Sequence, residues 1–300
     1  MDGALVQKKY KITKILGKGK FGTVYQGQNV KTNELVAIKQ EIHNIRDINI
    51  IKNEATILNY LYRNGCKFIP FVYWYGLFLE NPTLVMSHYE MSLDEYTVNL
   101  YKFGANKVDS IESEDTNTNN AILRWFKNML NILENIHSNF IIHRDIKPQN
   151  FMIRDGEIYL IDFGMATTFV DNNNNHVEEK TAKKEIIGTP KYISHNIHNG
   201  IEPSRRDDVI SACYIYLYMK FGNLPWDQEK CPRYIRIDSD CKYENEIYNE
   251  LNKWRAFLKS WEYLEKIVVS IGNPFYSFIK SLYFKEFKDK PNYVLDNTRV

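Results

Sequence analysis

Between residues 10 and 41 apolar and polar positions alternate in three runs, YKITKILGKG, FGTVYQGQNV and ELVAIKQE, the last two parted by Lys31-Thr32-Asn33. A period of two puts successive side chains on opposite faces of a strand, so an antiparallel meander is predicted. Residues 47–63 switch to helical spacing, with Ile51, Ala55, Leu58 and Tyr62 on one face and Asn64-Gly65 as the closing cap. Two further strand patterns follow, FVYWYGLFLE and PTLVMSHY. From Ser92 onward the period is mostly helical, through LDEYTVNLY, AILRWFKNMLNILENIH and DDVISACYIYLYMKFG. Two polar stretches, Lys107–Asn120 and Asp171–Lys184, read as mobile loops. The predicted class is α+β: a small antiparallel β-sheet lobe with one main helix, then a larger, mainly helical lobe.

Composition changes this picture little. The 300 residues are 44% hydrophobic, ample for a core, and 39 basic against 37 acidic side chains leave a formal charge of +2. No overall field favours nucleic acid or an anionic membrane. Cys66, Cys213, Cys231 and Cys241 form no C-x-x-C pair, which argues against zinc or a disulfide framework and for a reducing compartment. No run approaches the ~18 apolar residues of a membrane span, and the N-terminus lacks a signal-like apolar region. An intracellular, soluble protein is expected.

Candidate chemistry is concentrated in four short segments. Gly17-Lys18-Gly19-Lys20-Phe21-Gly22 is a G-x-G-x-x-G motif. A dinucleotide-binding turn would need a helix directly after it, whereas Thr23-Val24-Tyr25 continues as strand, favouring a loop laid over nucleotide phosphates. Val36-Ala37-Ile38-Lys39 then places a lysine before a helix containing Glu54, its expected ion-pair partner; Glu41, on Lys39's own strand, is the alternative. His143-Arg144-Asp145-Ile146-Lys147-Pro148-Gln149-Asn150 sets a carboxylate, an ammonium and an amide on one loop. Asp145 would orient or accept a hydroxyl proton, Lys147 would neutralise charge on a transferred phosphoryl group, and Asn150 would hold a magnesium ion. The hairpin FMIRDGEIYL, turning at Asp155-Gly156, leads to Asp162-Phe163-Gly164, whose carboxylate would be a second ligand for the metal. Asp171, Asn173 and Asn175 mimic a calcium loop, but His176 and Ala182 stand where its glycine and glutamate belong.

In chain order these motifs resemble the protein kinases, and the stretch GTPKYISHN narrows the resemblance. Most kinases carry Ala-Pro-Glu where Ser194-His195-Asn196 stands here; the casein kinase I family carries Ser-Ile-Asn, followed by Gly-Ile-Glu, Ser-Arg-Arg-Asp-Asp and Leu-Pro-Trp blocks similar to those at 200–226. Trp74-Tyr75-Gly76 and Asp289-Lys290-Pro291-Asn292-Tyr293 extend the likeness over nearly the whole chain. The vaccinia-related kinases share much of it, but the doubled Asp207-Asp208 is closer to casein kinase I.

The resemblance implies one bilobal kinase domain over 1–300, with an ATP-binding lobe at 1–86, a hinge at 87–91 and a catalytic and substrate lobe at 92–300. It implies ATP and Mg2+ as cofactors, and Ser/Thr acceptors in acidic or phospho-primed proteins as substrates. The nucleotide would meet the glycine loop, Val24, Ala37, Lys39, Met86 at the back of its pocket, and backbone groups near Ser87 and Tyr89. Lys191 and Lys242 occupy the family's anion-binding positions. A monomer without nucleic-acid or membrane partners is expected, and acidic Glu178-Glu179 could lie near Arg144 in place of a loop phosphate. Glu90-Met91, Gln149 and Cys213 depart from the family pattern. The alternatives are a kinase-fold scaffold with little transfer activity, and a small-molecule kinase.

Overall fold

A computed structural model describes residues 3–19, 22–41, 50–104, 111–181, 186–227, 230–232 and 244–295. The predicted site residues Lys20, Phe21 and Lys242 lie outside them. The chain divides into two compact units, one of residues 1–93 and 149–167 and the other of 94–148 and 168–300.

The first unit is built on a six-stranded sheet of order β1-β2-β3-β4-β6-β5. Its strands are β1 (Leu5–Val6), β2 (Tyr10–Gly19), β3 (Gly22–Asn29), β4 (Leu35–Glu41), β5 (Val72–Phe78) and β6 (Asn81–Ser87). The three alternating runs become β2, β3 and β4, paired antiparallel with Tyr25 opposite Ile38 and Val24 opposite Lys39. Directly opposed residues share a face. Val6, Tyr10, Ile12, Tyr25, Val36, Ile38 and Val85 therefore gather into one buried cluster. The other parity sets Val24, Gln26, Ala37, Lys39, Leu84 and Met86 on the reverse face. Helix α1 (Ile50–Arg63) buries Ile50, Ile51, Glu54, Ala55, Ile57, Leu58 and Leu61. Ile51, Ala55 and Leu58 are on the face their spacing announced, whereas Tyr62, expected with them, is exposed. Gly65, at φ 78°, ends it in the left-handed conformation that glycine adopts without Cβ strain.

A second, three-stranded sheet joins β7 (Met91–Ser92), β9 (Phe151–Arg154) and β10 (Glu157–Leu160) in the order β10-β9-β7. The β9–β10 hairpin turns through Asp155 and Gly156, both at positive φ, as the Asp-Gly signal requires. Arg154 lies over the rings of Tyr159 and Tyr89, which pack together at 4.8 Å.

The second unit is helical: α2 (Leu93–Gly104), α3 (Ile111–Ser138), α4 (His195–His198), α5 (Arg205–Phe221), α6 (Glu244–Leu258), α7 (Trp261–Val268) and α8 (Phe275–Tyr283), with the two-residue strand β8 (Ile141–Ile142) after α3. Helix α5 is buried continuously from Arg206 to Met219, so its apolar residues run right round and other helices enclose it. Phe126 of α3 meets Tyr216 of α5 and both Phe275 and Phe278 of α8. One expectation needs correcting: residues 111–120, read as loop, are the first turns of α3. A helix already nucleated in the apolar segment from Ala121 adds one backbone hydrogen bond per residue as it extends, which outweighs weak local preferences.

Candidate active site

In the first unit the reverse face of the sheet carries Lys39 toward α1. Its Nζ donates to Glu54 Oε2 at 2.7 Å and to Asp162 Oδ1 at 2.6 Å. Glu54 is fully buried, and it, not Glu41, is the partner. Burial opposes charge on Lys39, but the two carboxylates outweigh it and hold its pKa above the ordinary lysine value. Burial likewise pushes Glu54 upward, while Lys39 and the Phe163 backbone N–H pull it down.

Asp162 sits in the left-handed region at φ 63°, which turns the chain sharply after Ile161. The turn is docked on α1, because Asn53 Nδ2 donates to the carbonyls of Gly164 at 3.1 Å and Ala166 at 3.0 Å. A Cβ on Gly164 would stand 2.5 Å from Ile50 Cγ2, so only glycine lets helix and turn approach this closely. Asn150 is buried close by in sequence, its carbonyl accepting from Ile161 N–H at 2.8 Å.

Val24, Ala37 and Met86 share Lys39's face of the sheet. Gly17, Lys18 and Gly19 are in β2, opposite Val24, Thr23 and Gly22. Gly22 is demanded by the sheet, since a Cβ there would fall 2.1 Å from Gln40 O, whereas Gly17 and Gly19 have open space beside them. At the end of β6 and just beyond it, the N–H groups of Ser87 and Glu90 are taken by the carbonyls of Phe71 and Ile153. Tyr89 N–H makes no such bond among the described residues.

In the second unit Asp145 is the centre. Thr189 Oγ1 donates to its Oδ1 at 2.7 Å and Lys147 Nζ to its Oδ2 at 2.6 Å, with Lys147 also 3.4 Å from Thr189 Oγ1. Asp208, buried at the start of α5, accepts the backbone N–H of His143 at 2.8 Å and of Arg144 at 3.0 Å, and thereby fixes the loop bearing Asp145. Burial alone would raise its pKa; His137 at 3.0 Å and His143 reverse this and keep it below the usual carboxylate value. Burial keeps His137 neutral, pulling its pKa down against Asp208. With Nε2–H donated to Asp208, its Nδ1 accepts from Tyr293 OH at 2.7 Å. Tyr293 is thus tied through two hydrogen-bonded side chains to the Asp145 loop.

The segment carrying Thr189 is held from its other side. Gly188, at φ 97°, passes so near Arg144 that a Cβ would lie 2.6 Å from its carbonyl oxygen. Lys259, with no exposed surface, donates to Pro190 O at 2.9 Å and Ile193 O at 2.8 Å. Ser204 and Asp207 form a capping box at the start of α5, and Asp207 also accepts from Ser194 and Asn196. Ser-His-Asn is therefore bonded into α5. One expectation changes here. Glu178 pairs with Lys288 and Glu179 lies 3.9 Å from Arg206 rather than beside Arg144, whose charge is favoured by Asp208 and Glu202. Lys191 Nζ is 2.9 Å from Asp227 Oδ1, an ion pair by distance without hydrogen-bond alignment, and lies over the Tyr218 ring. The Asp171 carboxylate accepts the backbone N–H groups of Asn173 and Asn175 in an Asx-type turn.

Asn53, His137 and Lys259 were not singled out by sequence reasoning, and Thr189 and Tyr293 stood inside the GTPKYISHN and Asp289–Tyr293 stretches without a role of their own. Thr189 had a signal in the Gly-Thr pair; Lys259 had none. Comparison with protein families matches residues 10–293 to the protein kinase domain. The chain belongs to that family, whose members generally use ATP and Mg2+ to phosphorylate proteins. No helix among the described residues is long and apolar enough to cross a membrane.

Proposed function

We propose that this protein is a Ser/Thr protein kinase of casein kinase I type, transferring the γ-phosphoryl group of ATP to acidic or phospho-primed proteins. The observation that carries the reading is the pair of clusters Lys39–Glu54–Asp162 and Lys147–Asp145–Thr189. The oxygens of Asp162 and Asn150 suit Mg2+, a hard cation that prefers such ligands. The apolar Val24, Ala37 and Met86, ending in a lysine, suit a base and its phosphates. ATP supplies the transferable phosphoryl group when bound, and Mg2+ screens its charge.

The residues divide the work. Lys39 is held charged and aimed by two carboxylates, ready to grip phosphate oxygens. Asp145 would orient the acceptor hydroxyl and take its proton as the new O–P bond forms and the bond from the γ-phosphorus to ADP breaks, ADP leaving with that bond's electron pair, while Lys147 offsets charge on the transferred group. Thr189 and Lys147 hold Asp145 by both oxygens, so its carboxylate is oriented before substrate arrives. Asp227 shares the ammonium of Lys191, so an acidic substrate reaches that lysine only in competition with a resident carboxylate.

The test is transfer from labelled ATP with Mg2+ to three peptide sets, acidic, phospho-primed and basic, compared with Asp145→Asn. Transfer favouring the first two sets is expected, with kcat about 10²–10⁴-fold lower in the variant. Undiminished activity of D145N would sink the catalytic assignment; preference for basic peptides would sink the substrate class.

A further inference from the structure

The block Ser204-Arg205-Arg206-Asp207-Asp208 opens α5, and each of its four charged side chains holds a different stretch of chain. Asp207 takes the Ser194–Asn196 stretch and Asp208 the loop that bears Asp145. The two arginines reach the other way. Arg205 Nη2 donates to the carbonyl of Lys288, and Arg206 Nη1 donates to that of Lys285 at 2.6 Å. They seat the segment after α8, in which Phe287 and Tyr293 are both buried. That segment then turns the Tyr293 hydroxyl onto His137 Nδ1, while His137 Nε2 meets Asp208. The residues after α8 thus return to the same carboxylate that anchors the Asp145 loop.

This return fixes where a hydrogen sits. Asp208 is ionised, its oxygens accepting the N–H groups of His143 and Arg144, so it can only accept. His137 Nε2, 3.0 Å from Asp208 Oδ2, must therefore carry a hydrogen. Burial keeps that ring neutral, which leaves Nδ1 a bare lone pair. Burial also pushes the Tyr293 phenol up, so its hydroxyl stays protonated and is the donor across the 2.7 Å contact. In a neutral imidazole the bond made at one nitrogen decides what the other presents. Without the hydroxyl, Nδ1 would be a buried acceptor with nothing to accept. The ring escapes that penalty by turning away or by moving its hydrogen to Nδ1, and either change takes the Nε2 donor from Asp208. We infer that Tyr293 is a positioning residue for phosphoryl transfer: its hydroxyl locks the His137 hydrogen on Nε2 and so holds Asp208 in the orientation that fixes the backbone of His143 and Arg144, and with it Asp145. The inference rests on Asp145 meeting the acceptor hydroxyl, as proposed above.

The test uses the full chain and Tyr293→Phe, which keeps the buried ring and removes only the hydroxyl. Long-range nitrogen–proton correlation spectra of isotope-labelled histidine, with His137 assigned from the signal missing in His137→Gln, should show its hydrogen on Nε2 in the wild-type protein. In Y293F that single form should give way to a mixture or shift to Nδ1. In transfer from ATP to an acidic peptide, Y293F is expected to lower kcat roughly three- to tenfold and to leave KM for ATP within about twofold, because Lys39 and its face of the sheet lie in the other unit. Hydrogen exchange at the His143 and Arg144 amides should quicken severalfold. Lys288→Ala removes an exposed ion pair with Glu178 from the same segment and leaves the hydroxyl, so its kcat should be that of the wild type. A His137 hydrogen on Nδ1 in the wild-type protein overturns the inference, whether or not any variant folds. A folded Y293F with undiminished kcat, or with its hydrogen still wholly on Nε2, overturns it as well. So does a loss in Lys288→Ala equal to that in Y293F, which would trace the effect to a loosened segment. Absence of transfer to every peptide by the wild-type protein would instead strike the proposed activity, and the tautomer and exchange measurements still decide whether Tyr293 holds the loop.

Discussion

Replacing Lys39 by methionine isolates the buried charge at the centre of the first unit. Lys39→Met keeps the side chain's length and apolar stem but removes the ammonium that faces Glu54 at 2.7 Å and Asp162 at 2.6 Å. Asp162 is 39% exposed and falls back on water; Glu54 has no exposed surface. Removing one partner of a buried pair typically costs about 3–5 kcal/mol, because the remaining charge has neither water nor counterion. A cheaper route is open to Glu54, which is to fold protonated. From a reference value of 4.5, neutralising it at pH 7 costs about 3.4 kcal/mol, and at pH 5 only about 0.7 kcal/mol. The sign follows from linkage: a carboxyl raised in the folded state binds more protons there than when unfolded, so stability falls as pH rises above 4.5. K39M should therefore lose about 3 kcal/mol at pH 7 in urea unfolding, or roughly 5–6 °C in Tm, and much less at pH 5. The double variant Lys39→Met with Glu54→Gln should regain most of the stability at pH 7 and none of the phosphotransfer. Equal losses at both pH values, or no recovery in the double variant, would refute the buried pair as the origin of the effect.

Two other perturbations follow from the second unit. Burial holds His195 neutral, its pKa lowered to about 4 from an unfolded 6.5, and His198 lower still. Between those values the unfolded chain binds the extra proton, so each such histidine removes up to about 1.4 kcal/mol of stability per pH unit as pH falls from 6.5. His195→Phe, which keeps a ring against Tyr283, should flatten that slope by one proton in unfolding curves taken from pH 7 to pH 5; an unchanged slope would mean the ring titrates freely in the folded state. Asp227→Asn keeps an acceptor for Leu224 N–H, now at 2.9 Å, and releases Lys191. KM for a phospho-primed peptide should fall roughly two- to fivefold with little change for a neutral one. No change would remove Lys191 from substrate recognition.

The chemistry-bearing residues were legible because each sits in a short contiguous pattern whose meaning is local. The period of two in β2–β4 also fixed which residues share Lys39's face, since pairing register and side-chain alternation are the same fact. What joined the parts was not local. Nothing in FMIRDGEIYL announces that this hairpin adds to Met91–Ser92, because a ladder edge is chosen in space, not along the chain. Likewise FLKSW gives no sign that Lys259 is fully buried. Its position is decided by the carbonyls of Pro190 and Ile193, more than sixty residues upstream.

Lys191 shows the same limit at the site itself. A lysine in GTPKYI reads as a point charge awaiting an anion, and its sequence neighbours do not contradict that. The counterion arrives from the turn after α5, where Asp227 also accepts Leu224 N–H, and Tyr218 places its ring beneath the ammonium. Trp226 binds the Lys191 carbonyl from the same turn at 2.7 Å, so backbone and side chain of Lys191 are both held by residues 218–227. An arginine there could serve Asp227 and a substrate anion at once through its fork of donors; lysine has one compact charge to divide. Whatever selectivity for acidic substrates this kinase has at that position must then depend on how completely an incoming phosphate displaces Asp227, and a dianionic phosphate competes for the ammonium better than a single carboxylate does.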